Sequence, residues 1–140
     1  MTPKAKLVAV PTFVIALILV ALQPNEGNAL KPYWDAPGQA WTVCRGVTGA
    51  EVIPGKTYTD AECRSMEYRY VNTMLTHMGH CVTVALPFNE IRAWGDFAYN
   101  VGTTKFCNST AAKLLNAGEN KKACEQITRW RYVGGYDCAA

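Results

Sequence analysis

Residues 54–66 read Pro-Gly-Lys-Thr-Tyr-Thr-Asp-Ala-Glu-Cys-Arg-Ser-Met, and they mark where one kind of chain gives way to another. Thr59-Asp-Ala-Glu62 is a capping box, in which a hydroxyl and a carboxylate each satisfy a backbone N–H that a helix start would otherwise leave open. Cys63, Met66, Tyr70, Met74 and Met78 then recur at steps of three and four until Gly79, which predicts one apolar helix face. Upstream, residues 35–58 hold Asp-Ala-Pro-Gly, Trp-Thr-Val, Val-Thr-Gly and Val-Ile-Pro-Gly-Lys, a pattern of short strands joined by turns. Downstream, Pro87 opens a predicted helix to about Asn100 with Ile91, Trp94 and Ala98 on one face. Ser109 to Ala117 reads as a helix stopped by Gly118, and Glu119 to about Tyr132 as another stopped by Gly134-Gly135. A small strand-and-turn lobe followed by a mainly helical lobe is an α+β fold.

The 140 residues are 49% hydrophobic and 18% charged, enough apolar material for one core, which excludes a disordered or collagen-like chain. Past residue 22 no repeat, low-complexity tract or linker divides the chain, so one domain is expected; the protein is also expected to be a monomer. The formal charge of +3 shrinks to +1 from residue 23 onward, because Lys4 and Lys6 stand in the first six residues. The remaining positive charge is scattered, so no nucleic-acid partner is expected.

Met-Thr-Pro-Lys-Ala-Lys leads into LVAVPTFVIALILVAL, an apolar run of 16 residues from Leu7 to Leu22 interrupted by Pro11 and Thr12. As a helix it would rise roughly 24 Å, against a hydrocarbon core of about 30 Å. We therefore expect residues 1–22 to be a signal-anchor, a hydrophobic N-terminal helix that holds the chain to the inner membrane through residues 7–22. Residues 23–140 would be carried across to the periplasmic side. Gly-Asn-Ala at 27–29 has the small residues a signal peptidase needs, and cutting there would remove Glu26. Export also accounts for Cys44, Cys63, Cys81, Cys107, Cys124 and Cys138, which show no metal-binding spacing and read as disulfides. Six cysteines allow fifteen pairings, and the sequence leaves the choice open.

Glu26, Asp35 nine residues later and Thr42 form a set of two acids and a hydroxyl. Glycosidic bonds are cleaved by such a pair, one carboxyl holding a proton for the leaving oxygen and the other ionised. Spacing alone is equally that of two solvated surface charges. The surrounding residues add to it. Glu26-Gly27, Leu30, Tyr33 and Asp35, then Trp41-Thr42-Val43-Cys44 and Gly46, Thr48 and Gly49, resemble the active-site stretch of phage-type lysozymes, glycoside hydrolase family 24. Pro54-Gly55-Lys56 with Tyr58-Thr59, Ala98-Tyr99-Asn100-Val101-Gly102, Ser109-Thr110 with Lys113-Leu114-Leu115-Asn116, and Arg129-Trp130 with Tyr132 and Gly134-Gly135 follow in the family's order.

The resemblance implies a lysozyme-like fold and an endolysin that cuts the β-1,4 bond between N-acetylmuramic acid and N-acetylglucosamine with inversion and without a cofactor or metal. Glu26 would be the general acid, Asp35 and Thr42 would hold the attacking water, and Asn100 and Trp130 would bind the peptidoglycan strand. It also implies a leader that leaves the bilayer uncut.

Three features depart from the family pattern. The Asp35–Thr42 loop is one residue longer, Val47 stands where a histidine is common, and the family's final helix is expected to be missing after Gly135. The competing reading is a catalytically inactive, disulfide-stapled exported protein that binds cell-wall glycan. His77 and His80 are expected to be solvent-exposed histidines near a helix end, with no third ligand beside them for a metal. Trp41, Trp94 and Trp130 are each expected either in the core or against a sugar ring.

Overall fold

The structure is a computed structural model that describes residues 2–22 and 29–140, so Glu26 lies outside the described residues. It consists of helices with two small antiparallel sheets, the α+β arrangement expected. The chain forms two compact units, Leu22–Tyr70 and a second made of Met1–Ala21 with Val71–Ala140.

In the first unit β2 (Ala29–Asp35), β3 (Ala40–Cys44) and β4 (Val47–Thr48) lie side by side in that order. Pro32 has no N–H to give a ladder, and β2 is an edge strand with a register irregularity between Ala29 and Tyr33, where a proline is tolerated. Val43 and Val47 are buried with Val52, Tyr58, Cys63 and Met66. The Tyr58 hydroxyl accepts from the Ile53 N–H at 2.9 Å and donates to the Glu51 carbonyl at 3.0 Å, so the segment before the long helix closes on itself. That helix, α2 (Asp60–Cys81), starts on the capping box. Thr59 Oγ1 accepts from the Glu62 N–H at 3.1 Å, and the Thr59 N–H donates to Glu62 Oε1 at 3.0 Å. Cys63, Met66, Met74 and Met78 are buried as the period predicts.

The second unit begins with β1 (Lys4–Ala5), which pairs antiparallel with β5 (Leu86–Pro87). The apolar run 7–22 is not a single helix. Proline disfavours the helical region for the residue before it, Val10 is extended (φ −75°, ψ 129°), and the run divides into a 3₁₀ turn over Leu7–Ala9 and α1 (Thr12–Leu22). Leu7, Val14, Ile15 and Ile18 are each at most 1% exposed. Two glycines receive them. A Cβ on Gly79 would lie 2.9 Å from the Val8 nitrogen, and one on Gly95 would lie 3.0 Å from Ile18 Cδ1. Phe13 meets Phe88 edge to face, ring centroids 5.4 Å apart. Among the described residues no helix is long and apolar enough to cross a membrane.

Beyond β5 come α3 (Phe88–Val101), α4 (Thr103–Cys107), α5 (Thr110–Asn116) and α6 (Asn120–Glu125). Ser109 caps α5 by accepting from the Ala112 N–H at 3.1 Å. The helix expected from Glu119 to about Tyr132 ends at Glu125 instead. Ile127 and Trp130 continue only as i→i+3 turns, and the chain is pulled back by Cys124–Cys138 and by the Arg131 guanidinium on both oxygens of Asp137 at 2.8 and 3.1 Å. The disulfides join neighbours in sequence: Cys44–Cys63 in the first unit, Cys81–Cys107 and Cys124–Cys138 in the second.

Candidate active site

The β2–β3 hairpin aligns Tyr33 with Thr42, Trp34 with Trp41 and Asp35 with Ala40. Directly paired residues share a face and alternate residues return to it, so Tyr33, Asp35 and Thr42 lie on one face. Trp34 and Trp41 take the other, where their rings meet at 5.8 Å and 71°. Asp35 and Thr42 are thus diagonal neighbours, a relation that places residues roughly 7–8 Å apart in antiparallel sheets. The lengthened loop is taken up in the four-residue turn Ala36–Gln39, with Gln39 in the left-handed region at φ 50°, and the register is regular from Asp35–Ala40 to Tyr33–Thr42. Gly38 is the close approach in that turn: a Cβ there would sit 2.7 Å from Asp35 Oδ2. Any larger residue would displace the carboxylate.

Thr42 is 3% exposed, and its hydroxyl donates to the Ala40 carbonyl at 3.4 Å. Asp35 is half-buried. Of the other expected site residues, Asn100 closes α3 in the second unit, exposed, with its amide donating to the Asp96 carbonyl at 2.8 Å. Trp130 is half-buried in the same unit, edge to face with Phe97 at 5.0 Å and beneath the Arg129 guanidinium. Trp94 is fully buried and belongs to the core, whereas Trp41 is 41% exposed. His77 and His80 are exposed on α2. Among the described residues no group of three His, Cys, Asp or Glu side chains stands close enough to hold a metal ion.

A buried ion pair behind the hairpin was not anticipated. Glu67 on α2 is 2% exposed and accepts from the Arg45 backbone N–H at 3.0 Å, from Nε at 2.9 Å and from Nη2 at 2.6 Å. Arg45 follows Cys44 directly, so the bridge to Cys63 and the three hydrogen bonds to Glu67 tie the end of β3 to one turn of α2. The signal was present in the sequence. Glu67 stands four residues after Cys63, on the apolar face, where a carboxylate needs a cation. Val47, one of the three departures from the resembled pattern, is buried in the core.

The hairpin lobe also has a surface cavity of about 420 Å³ whose lining includes Glu51, Ile53, Lys56, Tyr58, Glu62 and Arg69. Two ion pairs, Lys56–Glu62 at 2.8 Å and Arg69–Glu51 at 2.6 Å, stand in its wall, and none of the described candidate site residues lines it.

The pattern of the family described as Phage lysozyme matches residues 23–140. The SAR-endolysin of Bacteriophage PS119 is 41% identical over 110 residues, which are 79% of this chain and 65% of that protein. The chain thus spans just under two thirds of that relative's length. Among solved structures, the endolysin from Escherichia coli O157:H7 phage FAHEc1 superposes with a TM-score of 0.67 at 25% identity, covering 86% of this chain and 79% of that one. The muramidase domain of SpmX from Asticaccaulis excentricus superposes with a TM-score of 0.69 at 18% identity, covering 91% and 84%. The fold is lysozyme-like.

Proposed function

The chain belongs to the phage lysozyme family, and from that premise we propose that it is an endolysin of the glycoside hydrolase family 24 type. It hydrolyses the β-1,4 bond between N-acetylmuramic acid and N-acetylglucosamine in peptidoglycan, acting as a monomer without a cofactor. Glu26 gives its proton to the leaving glycosidic oxygen. Asp35 and Thr42 hold the water. With the Thr42 hydroxyl proton directed at the Ala40 carbonyl, its oxygen is left to accept from the water. Asp35 takes the other water proton as attack begins, and a lone pair faces the anomeric carbon, so the product is inverted. Asn100 and Trp130 contact the glycan strand. The observation that carries this reading is that the family match includes Asp35 and Thr42 on one face of the β2–β3 hairpin.

The leader is read as a tether that is later released uncut. SAR-endolysins are among the relatives it matches. Cleavage after Ala29 would remove Glu26 and also Leu7, Val14, Ile15 and Ile18, which are buried in the second unit. The same apolar run is then membrane-bound in the precursor and core in the soluble enzyme, which works on the wall from the periplasmic side.

The test is turbidity clearing of chloroform-treated Gram-negative cells by the purified full chain. Glu26→Gln, nearly isosteric but unable to deliver a proton, should fold and lose activity by at least about a hundredfold. Asp35→Asn should lose less. Retention of more than a tenth of wild-type clearing by folded Glu26→Gln would falsify the assignment.

A further inference from the structure

The tip of the β2–β3 hairpin reads Tyr33-Trp-Asp-Ala-Pro-Gly-Gln-Ala-Trp41, nine residues with one charge. Tyr33, Trp34 and Trp41 are 48%, 53% and 41% exposed, and Ala36, Pro37, Gly38 and Gln39 are exposed as well. Large aromatics at the end of a hairpin are neither core nor ordinary surface. Resting on the tether proposed above, we infer that this tip is a second membrane contact of the precursor, Trp34 and Trp41 seating in the headgroup region of the bilayer that holds residues 7–22.

Three observations favour a lipid surface. The first is chemical: indole rings with an apolar body and one N–H partition to the membrane interface, whereas a sugar platform would pair the rings with several hydrogen-bonding side chains. Between Lys31 and Arg45 the tip offers only Asp35 and Gln39 of that kind besides hydroxyls. Reach is the second, because only eleven residues stand between Leu22 and Trp34. At about 3.3–3.6 Å per extended residue the tip reaches the surface the leader has entered. Independence is the third. The first unit spans Leu22–Tyr70, and its core cluster, its disulfide and its Arg45–Glu67 pair all lie between Leu30 and Tyr70. The contacts that hold the hairpin therefore come from its own span and not from residues 7–21. An anchor shorter than the hydrocarbon core carries a mismatch cost of fractions of a kcal/mol per Å, which a second contact with the same leaflet offsets. Docking keeps Asp35 and Thr42 at the leaflet until the leader leaves.

The full chain reconstituted into phosphatidylethanolamine/phosphatidylglycerol vesicles carrying brominated acyl chains tests this. Strong bromine quenching of tryptophan emission is expected. Trp34→Ser/Trp41→Ser should remove most of that quenching and speed release from the vesicles by on the order of tenfold. Trp34→Tyr/Trp41→Tyr, which keeps interface-seeking rings, should restore most of the retention, separating membrane contact from a folding defect. If the wild-type chain does not associate with vesicles at all, the tether and this inference fall together. If it associates but the serine variant is quenched and released like wild type, the tether stands and the tip contact is refuted. A serine variant that instead loses binding to insoluble peptidoglycan, with vesicle release unchanged, makes the pair a glycan platform and overturns the inference.

Discussion

The two units obtain their cores differently. The hairpin unit, Leu22–Tyr70, draws its buried residues from its own span and binds them with one disulfide and one buried ion pair. The second unit takes Leu7, Val14, Ile15 and Ile18 from the far end of the chain, across the whole of the first. The core cluster of the unit bearing Asp35 and Thr42 lies wholly between Leu30 and Tyr70, whereas the other unit buries four residues of the leader. Under the proposed tether, withdrawing the leader therefore removes buried residues from the helical unit and leaves the hairpin cluster's own residues in place.

The largest effect should come from Ile18→Asp. An unpaired carboxylate in a site at 0% exposure, against Gly95, is expected to cost more than about 4–5 kcal/mol, a large part of the stability margin of a domain this size. Hydrogen exchange should show α3 to α6 unprotected and β2–β4 still protected. Equal loss in both units would break the comparison. Arg45→Met tests the other side. It leaves Glu67 charged and unpaired, at a cost of about 3–5 kcal/mol, and Arg45→Met/Glu67→Leu should recover most of it. Chemical denaturation of single and double variants measures both, and an additive double variant would show that the pair is not coupled.

Much of the fold was legible because its signals are local. The Thr59–Glu62 box, the Cys63–Met78 stripe and the Ser109 cap each depend on residues within a few positions of one another. Where distant segments decide, the reading stopped short. Helix 119–132 was cut at Glu125 by Cys138 and Asp137 closing on it, and Val10–Pro11 divided an apolar run that hydropathy alone treats as continuous. Of the candidate site, Asp35 and Thr42 lie on one hairpin face, and Glu26 falls outside the described residues. Gly38 escaped notice because its role is a close approach to Asp35 Oδ2, and Arg45 because its partner lies 22 residues away.

Smaller changes refine the picture. Alanine for glycine inside an exposed helix usually stabilises by about 0.5–1 kcal/mol. Gly79→Ala should instead destabilise the full chain by about 1–3 kcal/mol, since its Cβ would meet the backbone of Val8. A stabilising Gly79→Ala in thermal unfolding would mean that the leader does not sit there in solution. The smallest effect concerns Glu90, 6% exposed and held by the Asn120 amide at 2.8 Å. Burial pushes its carboxyl above the ordinary range, against the opposing pull of Asn120 and Lys4. With the folded value raised, its contribution to stability is present below the ordinary carboxyl range and is lost as pH rises through the raised value. Glu90→Gln should flatten that fall in a pH series of denaturation midpoints, and an unchanged slope would assign the fall to other groups.

The most direct measurement is the intact mass and N-terminal sequence of the active, soluble periplasmic form, taken without reductant. The result expected is the chain beginning at Met1 with its three disulfides closed. A soluble, bacteriolytic form beginning at Leu30 would contradict both the leader's place in the core and the role of Glu26.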